Sequence, residues 1–125
     1  NAVDAFREWV KENDVKWISS EEKLYNRGYK YAGTVDAIAE INGEYCVIDW
    51  KTSRAIYPEY YLQVAAYAKA VEDMKGRHVD ATYILRCDKT TGMFEAARSA
   101  EPELSENFKA FLSAKFLFHR MKELK

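Results

Sequence analysis

The 125-residue chain is poor in cysteine, histidine and proline, with two of each. Cys46 and Cys87 stand far apart in apolar, strand-like runs and form no CxxC. With only His78 and His119 to add, neither a zinc-finger spacing nor a disulfide framework can be built. The two thiols read as small buried side chains, and no bridge between them is implied. No apolar run approaches the ~20 residues of a membrane helix, because Lys, Glu, Asp or Gln interrupts every stretch. No charged segment followed by an apolar one opens the chain, so nothing argues for secretion. An excess of positive charge is missing too: 19 Lys and Arg face 20 Asp and Glu, a net charge of −1. That balance argues against an obvious basic nucleic-acid-binding surface. Neither GxSxG nor GxxxxGK[ST] occurs, and neither cysteine has an evident histidine partner, which removes nucleophilic and P-loop chemistry.

Against these absences, 48% of residues are hydrophobic and 31% charged, the profile of a folded chain rather than a disordered one. The length suits one hydrophobic core, and no repeat, linker or charge block divides it, so residues 1–125 are expected to form a single domain. The chain begins at Asn1 rather than Met, which fits a domain truncated at its N-terminus.

Apolar spacing lays out the elements. Ala2 to Glu12 places Val3, Phe6 and Val10 on one helical face. Trp17 to Tyr25 reads as a strand with a polar middle. Lys30 to Ile41 and Glu44 to Trp50 flank Asn42-Gly43, a strong hairpin signal because both turn residues need positive φ. Tyr57 to Lys75 carries Tyr60, Val64, Tyr67, Val71 and Met74 on one stripe, with Pro58 suited to the first turn and Gly76 to the stop. Val79 to Cys87 is rich in strand formers, Met93 to Ala97 returns as a short strand, and Leu104 to Leu124 is a last helix with Phe108, Phe111, Leu112 and Phe116 as its apolar side. Strand, helix, strand implies a crossover, so the expected fold is α/β, a mixed central sheet flanked by helices in α-β-β-β-α-β order.

The hairpin allows a geometric deduction. With Asn42-Gly43 as a two-residue turn, Ile41 faces Glu44 and the count back along both strands sets Asp36 opposite Asp49. Opposed residues share a face with Cβ atoms ~4.5–5.5 Å apart, and Lys51, two beyond Asp49, points the same way. Two carboxylates and an ammonium therefore converge. Like charges so placed repel unless neutralised. One reading is a solvated Asp–Lys–Asp cluster, whose pairs contribute ~0–1 kcal/mol. The other is a site for a hard divalent cation with oxygen ligands, Mg²⁺ or Mn²⁺. The apolar neighbours Val35, Ala37, Ile38, Val47 and Ile48 make these strands look central, which favours the second.

Gly33-Thr34-Val35-Asp36, then Val47-Ile48-Asp49-Trp50-Lys51-Thr52-Ser53, then Gln63 and Tyr67, resemble the PD-(D/E)XK nuclease superfamily, and more closely its RecB-like, phage-type exonuclease branch. That branch shows GxxD, DxKT and a helix with Q and Y four residues apart. The motif-level likeness runs from about Trp17 to Val71, and it implies a restriction-endonuclease-like core. It implies Asp36 and Asp49 as metal-binding carboxylates, the Trp50 carbonyl as a further ligand, and Lys51 as the group that orients or helps deprotonate the attacking water. Gln63 and Tyr67 would contact the metal site or the DNA backbone. For Tyr67 a plain core role on the apolar stripe is equally open.

Glu22 matches a glutamate often seen on the preceding strand, with Glu8 and Glu12 as weaker candidates for a further ligand. Two cysteines preclude the four-cysteine iron–sulfur cluster of some relatives. DNA contacts are expected from Arg27, Lys30, Lys51, Thr52 and Arg54. The basic later half of the last helix (Lys109, Lys115, Arg120, Lys122, Lys125) could help, but a solvated face that complements the helix dipole explains it better. Trp17, Tyr25 and Tyr29 are candidates to stack on bases. The resemblance thus implies a Mg²⁺- or Mn²⁺-dependent DNA exonuclease of repair, recombination or phage DNA processing. It would work in the cytoplasm, nucleoid or infected cell, alone, as a homo-oligomer or with a repair partner. The alternative is a nuclease-like module that binds DNA or a protein without cleaving.

Overall fold

The computed structural model describes residues 1–125. Their elements are α1 (Ala2–Glu12), β1 (Val15–Asn26), β2 (Tyr31–Ile41), β3 (Glu44–Lys51), α2 (Pro58–Lys75), β4 (Ala81–Cys87), β5 (Phe94–Ser99) and α3 (Glu103–Glu123). The five strands lie in sequence order across one sheet. Neighbours are antiparallel except β3 and β4, which are parallel. Tight turns can join only antiparallel neighbours, so the parallel step needs the α2 crossover. The result is the expected α/β fold with a mixed sheet.

Local chemistry sets the boundaries. Asn42 and Gly43 have φ of 52° and 82°, as a two-residue turn matched to strand twist requires. The Asn42 side chain also accepts from the Asp14 N–H at 2.9 Å, tying the turn to the start of β1. At the N-terminus, Asn1 caps α1 by accepting from the Asp4 N–H at 3.0 Å. Pro58 opens α2 in the first turn, and Gly76 closes it with φ 65°, its N–H donating to the Glu72 carbonyl at 2.8 Å.

The sheet is covered on both faces. Toward α2, Leu24, Val35, Ile38, Val47 and Ile84 pack with Val64, Ala68 and Val71. On the other face, Ile41, Cys46, Ile48, Tyr83 and Leu85 form a second cluster against Phe6 and Trp9 of α1. Trp50 belongs to this second face and meets Phe6 edge-on at 4.8 Å. Buried Ala65, Ala66 and Ala70 let α2 be enclosed on several sides, with α3 packed on its outer surface.

Two expected apolar faces need correction. Val3 is 55% exposed, and α1 docks instead through Phe6 and Trp9. Phe116 is 72% exposed, since α3 meets the core through Leu104, Phe108 and Phe111 and runs clear of it over its last turns. Helical spacing marks an apolar side; it does not say how far a neighbour extends along it. Leu85→Ala, at a fully buried position, is expected to lower the free energy of unfolding in urea by about 2–5 kcal/mol. Phe116→Ala should change it by less than about 0.5 kcal/mol.

Candidate active site

The hairpin ladder runs from Ile41↔Glu44 to Ala37↔Ile48 and then ends. In regular continuation Trp50 would face Val35. Instead the Trp50 N–H donates to Asp36 Oδ2 at 2.7 Å, so a side chain takes the place of the next strand bond. Asp36 is likewise absent from the β1 ladder, where Glu21, at its level, has φ 49°. The facing of β2 slips here: Gly33, Val35 and Ile38 all meet the α2 side. Asp36 and Asp49 are therefore neighbours, but not as the regular cross-strand pair the turn arithmetic gives. The strands part at their level and the Asp36 carboxylate swings to β3. A strand residue points its N–H and C=O to the same edge, so the Trp50 carbonyl also faces this gap.

Asp49 is 4% exposed. Lys51 Nζ lies 3.0 Å from Asp49 Oδ2, yet that oxygen accepts no aligned hydrogen bond and is buried. Burial, then the adjoining Asp36 carboxylate, push the Asp49 pKa up to about 6, against the opposing pull of Lys51. The pair is thus only partly neutralised: Asp49 Oδ2 is buried, and the cation beside it, Lys51, is poorly aligned for a hydrogen bond.

Lys51 is held from above by α2. Its Nζ donates to Gln63 Oε1 at 2.9 Å and sits 4.5 Å from the centre of the Tyr60 ring. Gln63 Nε2 in turn donates to the Tyr67 hydroxyl at 3.0 Å. Burial first, then the charges of Asp49 and Asp36, raise the Tyr67 pKa, which keeps the phenol protonated. The Tyr67 ring lies over Gly33: a Cβ there would come within 2.6 Å of Tyr67 Cε1. The contact chain Asp49–Lys51–Gln63–Tyr67–Gly33 thus closes back onto β2, three residues before Asp36.

The structure gathers Asp36, Asp49, Lys51, Gln63 and Tyr67 and sets exposed Thr52 and Arg54 on the loop that follows Lys51. Glu22 is not brought in. It pairs with Lys75 and accepts from Ser19 Oγ at 3.0 Å, and these contacts hold its pKa down. No group of three His, Cys, Asp or Glu side chains converges anywhere in the chain. Glu8 and Glu12 lie on α1, across the sheet from α2. Arg27 and Lys30 are exposed at the β1–β2 turn, and Trp17, Tyr25 and Tyr29 are each 42–49% exposed. Two contributors escaped the motif reading. Tyr60 looks like a stripe residue until its ring is seen under Lys51. Arg86, a lone cation ending an apolar strand, sits in register with Lys51.

A model of the PD-(D/E)XK nuclease superfamily matches residues 1–123. The chain is 42% identical over 57 residues to mitochondrial genome maintenance exonuclease 1 of Mus musculus, covering 41% of this chain and 17% of that protein. The counterpart in Xenopus tropicalis is 39% identical over 59 residues, again 17% of its length. The chain therefore spans about a sixth of these relatives. A Eubacterium rectale crystal structure, designated a candidate exonuclease, superposes with a TM-score of 0.64 at 16% identity, over 84% of this chain and 45% of that one. At that identity the likeness concerns the fold.

Two outcomes follow from the geometry. Gly33→Ala must displace the Tyr67 ring and is expected to cost about 1–3 kcal/mol. In a Tyr67→Ala background the same change should cost little, a coupling that a double-mutant cycle in urea measures. The second concerns pH. Folded Asp49 keeps its proton to about 6 rather than the ordinary 3.8, so between those values the folded state binds more protons than the unfolded one. Stability in EDTA should then fall as pH rises through that window, by on the order of 3 kcal/mol. Asp49→Asn should flatten this slope in unfolding curves taken across pH 4–7.

Proposed function

The chain belongs to the PD-(D/E)XK nuclease superfamily, and on that premise we propose that it is a divalent-metal-dependent deoxyribonuclease, acting as an exonuclease in DNA repair, recombination or phage DNA processing, with its site within one domain. One observation carries the reading. Asp36 and Asp49 adjoin, Asp49 is buried with its pKa raised, and the Lys51 ammonium, anchored from α2, lies 3.0 Å from its Oδ2. The names of the partial relatives, exonucleases of mitochondrial genome maintenance, support the exonuclease assignment.

The donor set fits a hard cation. Carboxylate and carbonyl oxygens suit Mg²⁺ or Mn²⁺, and positive charge there would offset the burial and the Asp36 repulsion that raise the Asp49 pKa. Asp36 and Asp49 would hold the ion, with the Trp50 carbonyl facing the same gap. When bound, the cation supplies Lewis-acid activation of water and phosphodiester. Asp36 also acts on the backbone, since its bond to the Trp50 N–H fixes the strand between Asp49 and Lys51. Lys51 keeps a fixed positive charge where negative charge builds on the phosphate, and helps hold the attacking water. Gln63 and Tyr60 would keep its ammonium placed with a cation held by Asp36 and Asp49. Exposed Thr52 and Arg54, on the loop that follows Lys51, are the groups this reading assigns to the DNA backbone.

Asp36→Ala, Asp49→Ala and Lys51→Ala are each expected to lower turnover on linear DNA by at least about 100-fold. EDTA should abolish cleavage, and Mg²⁺ or Mn²⁺ should restore it. Intact circular DNA should resist an exonuclease. Metal-independent cleavage, or full activity in Asp49→Ala, overturns the mechanism. DNA retention without cleavage in either metal would identify a binding module instead.

A further inference from the structure

Arg86 is the one lysine or arginine among the buried residues, at 4% exposure. The β3–β4 and β4–β5 registers place Lys51, Arg86 and Glu95 in one row. Paired positions share a face, so all three lie on the side that carries the carboxylates. Burying a guanidinium is costly unless its charge and its donors are met. Here Nε donates to Glu95 Oε1 at 2.5 Å, and Nη1 lies 3.6 Å from Asp88 Oδ2. Asp88 is itself set by the N–H groups of Thr90 and Thr91, at 2.8 and 3.2 Å, in the turn between β4 and β5.

The remaining contact has no part in balancing charge. Nη1 donates to the backbone carbonyl of Ser53 at 3.0 Å. Ser53 lies in the stretch 52–57 that joins Lys51 to α2 and carries Thr52 and Arg54. Its hydroxyl turns inward to donate to the Ala55 carbonyl at 2.7 Å. The carboxylates fix the guanidinium plane, and the guanidinium then fixes the loop.

We propose that Arg86 is a positioning residue for the nuclease site: by gripping the Ser53 carbonyl it sets the path of the chain leaving Lys51, and with it the placement of the Lys51 ammonium and of Thr52 and Arg54. A lysine reaches the Ser53 carbonyl or Glu95 but lacks the planar fork that meets both. The role in catalysis rests on the functional reading above; the grip on the loop does not.

The test uses Arg86→Lys and Arg86→Gln in the full chain, read two ways. Trypsin cleavage after the exposed Arg54 reports loop opening without any catalysis. Both variants should be cut there several-fold faster than the unsubstituted chain, Gln more than Lys, with cleavage elsewhere unchanged. On DNA, kcat should fall about 10- to 100-fold and KM should rise, since Lys51 shifts together with the DNA-facing Thr52 and Arg54, with Lys recovering part of what Gln loses. Unchanged protection at Arg54 in both variants overturns the proposal. So does a uniform rise in cleavage with activity lost in proportion to folded protein. If the unsubstituted chain cleaves no DNA with Mg²⁺ or Mn²⁺, the functional reading fails, and proteolysis alone decides the grip.

Discussion

The hydrogen bond from the Trp50 N–H to the Asp36 carboxylate is the constraint on which the site depends. A β-ladder satisfies its backbone groups in sequence, and ending one inside a covered sheet would leave donors unpaired. Asp36 meets that need for Trp50 with a side chain, so this N–H is paired just where the ladder stops and the strands separate. Separation opens the space between Asp36 and Asp49, and it faces the Trp50 carbonyl into that space. The same residue that brings negative charge to the site thus fixes the backbone between the other two charged residues.

The two sheet faces divide the labour along β3. Asp49 and Lys51 point toward α2, while Ile48 and Trp50 point into the aromatic group around Phe6. With Trp50 locked on one face, its neighbours cannot rotate away from the other. From α2, Gln63 reaches down to Lys51 and Tyr67 lies against the bare backbone of Gly33. The three motif fragments are consecutive links in one set of contacts. Glycine stands at position 33 because an aromatic ring occupies the place of its Cβ.

Much of this was legible in the chain. A two-residue Asn-Gly turn sets a register, and register sets which residues approach, so the meeting of Asp36, Asp49 and Lys51 follows from arithmetic. That arithmetic assumes a regular ladder and cannot foresee a side chain replacing a strand bond, so the Asp36–Asp49 contact came out as a regular pair. Glu22 fitted a motif, yet Lys75, 53 residues further along, claims it. Phe116 and Val3 fitted helical spacing, but how far a neighbouring element extends is a property of the whole packing. Arg86 was invisible because its value lies in partners on three separate segments, Ser53, Asp88 and Glu95.

A net charge of −1 argues against an obvious basic nucleic-acid-binding surface. The local arrangement qualifies that inference. What would matter for a polyanion is the local potential, and the two carboxylates are held side by side, one of them buried and only partly offset by Lys51. Such a site is unstable by itself, and a folded chain keeps it only because the surrounding contacts over-determine its geometry. Lys51 already lies 3.0 Å from Asp49, so its ammonium offsets part of the repulsion between the carboxylates while Gln63 and Tyr60 hold it in place. Neutral overall composition and a locally frustrated acidic pair are therefore compatible, and under the proposed function the positive charge that would meet phosphate is one that counting residues leaves out.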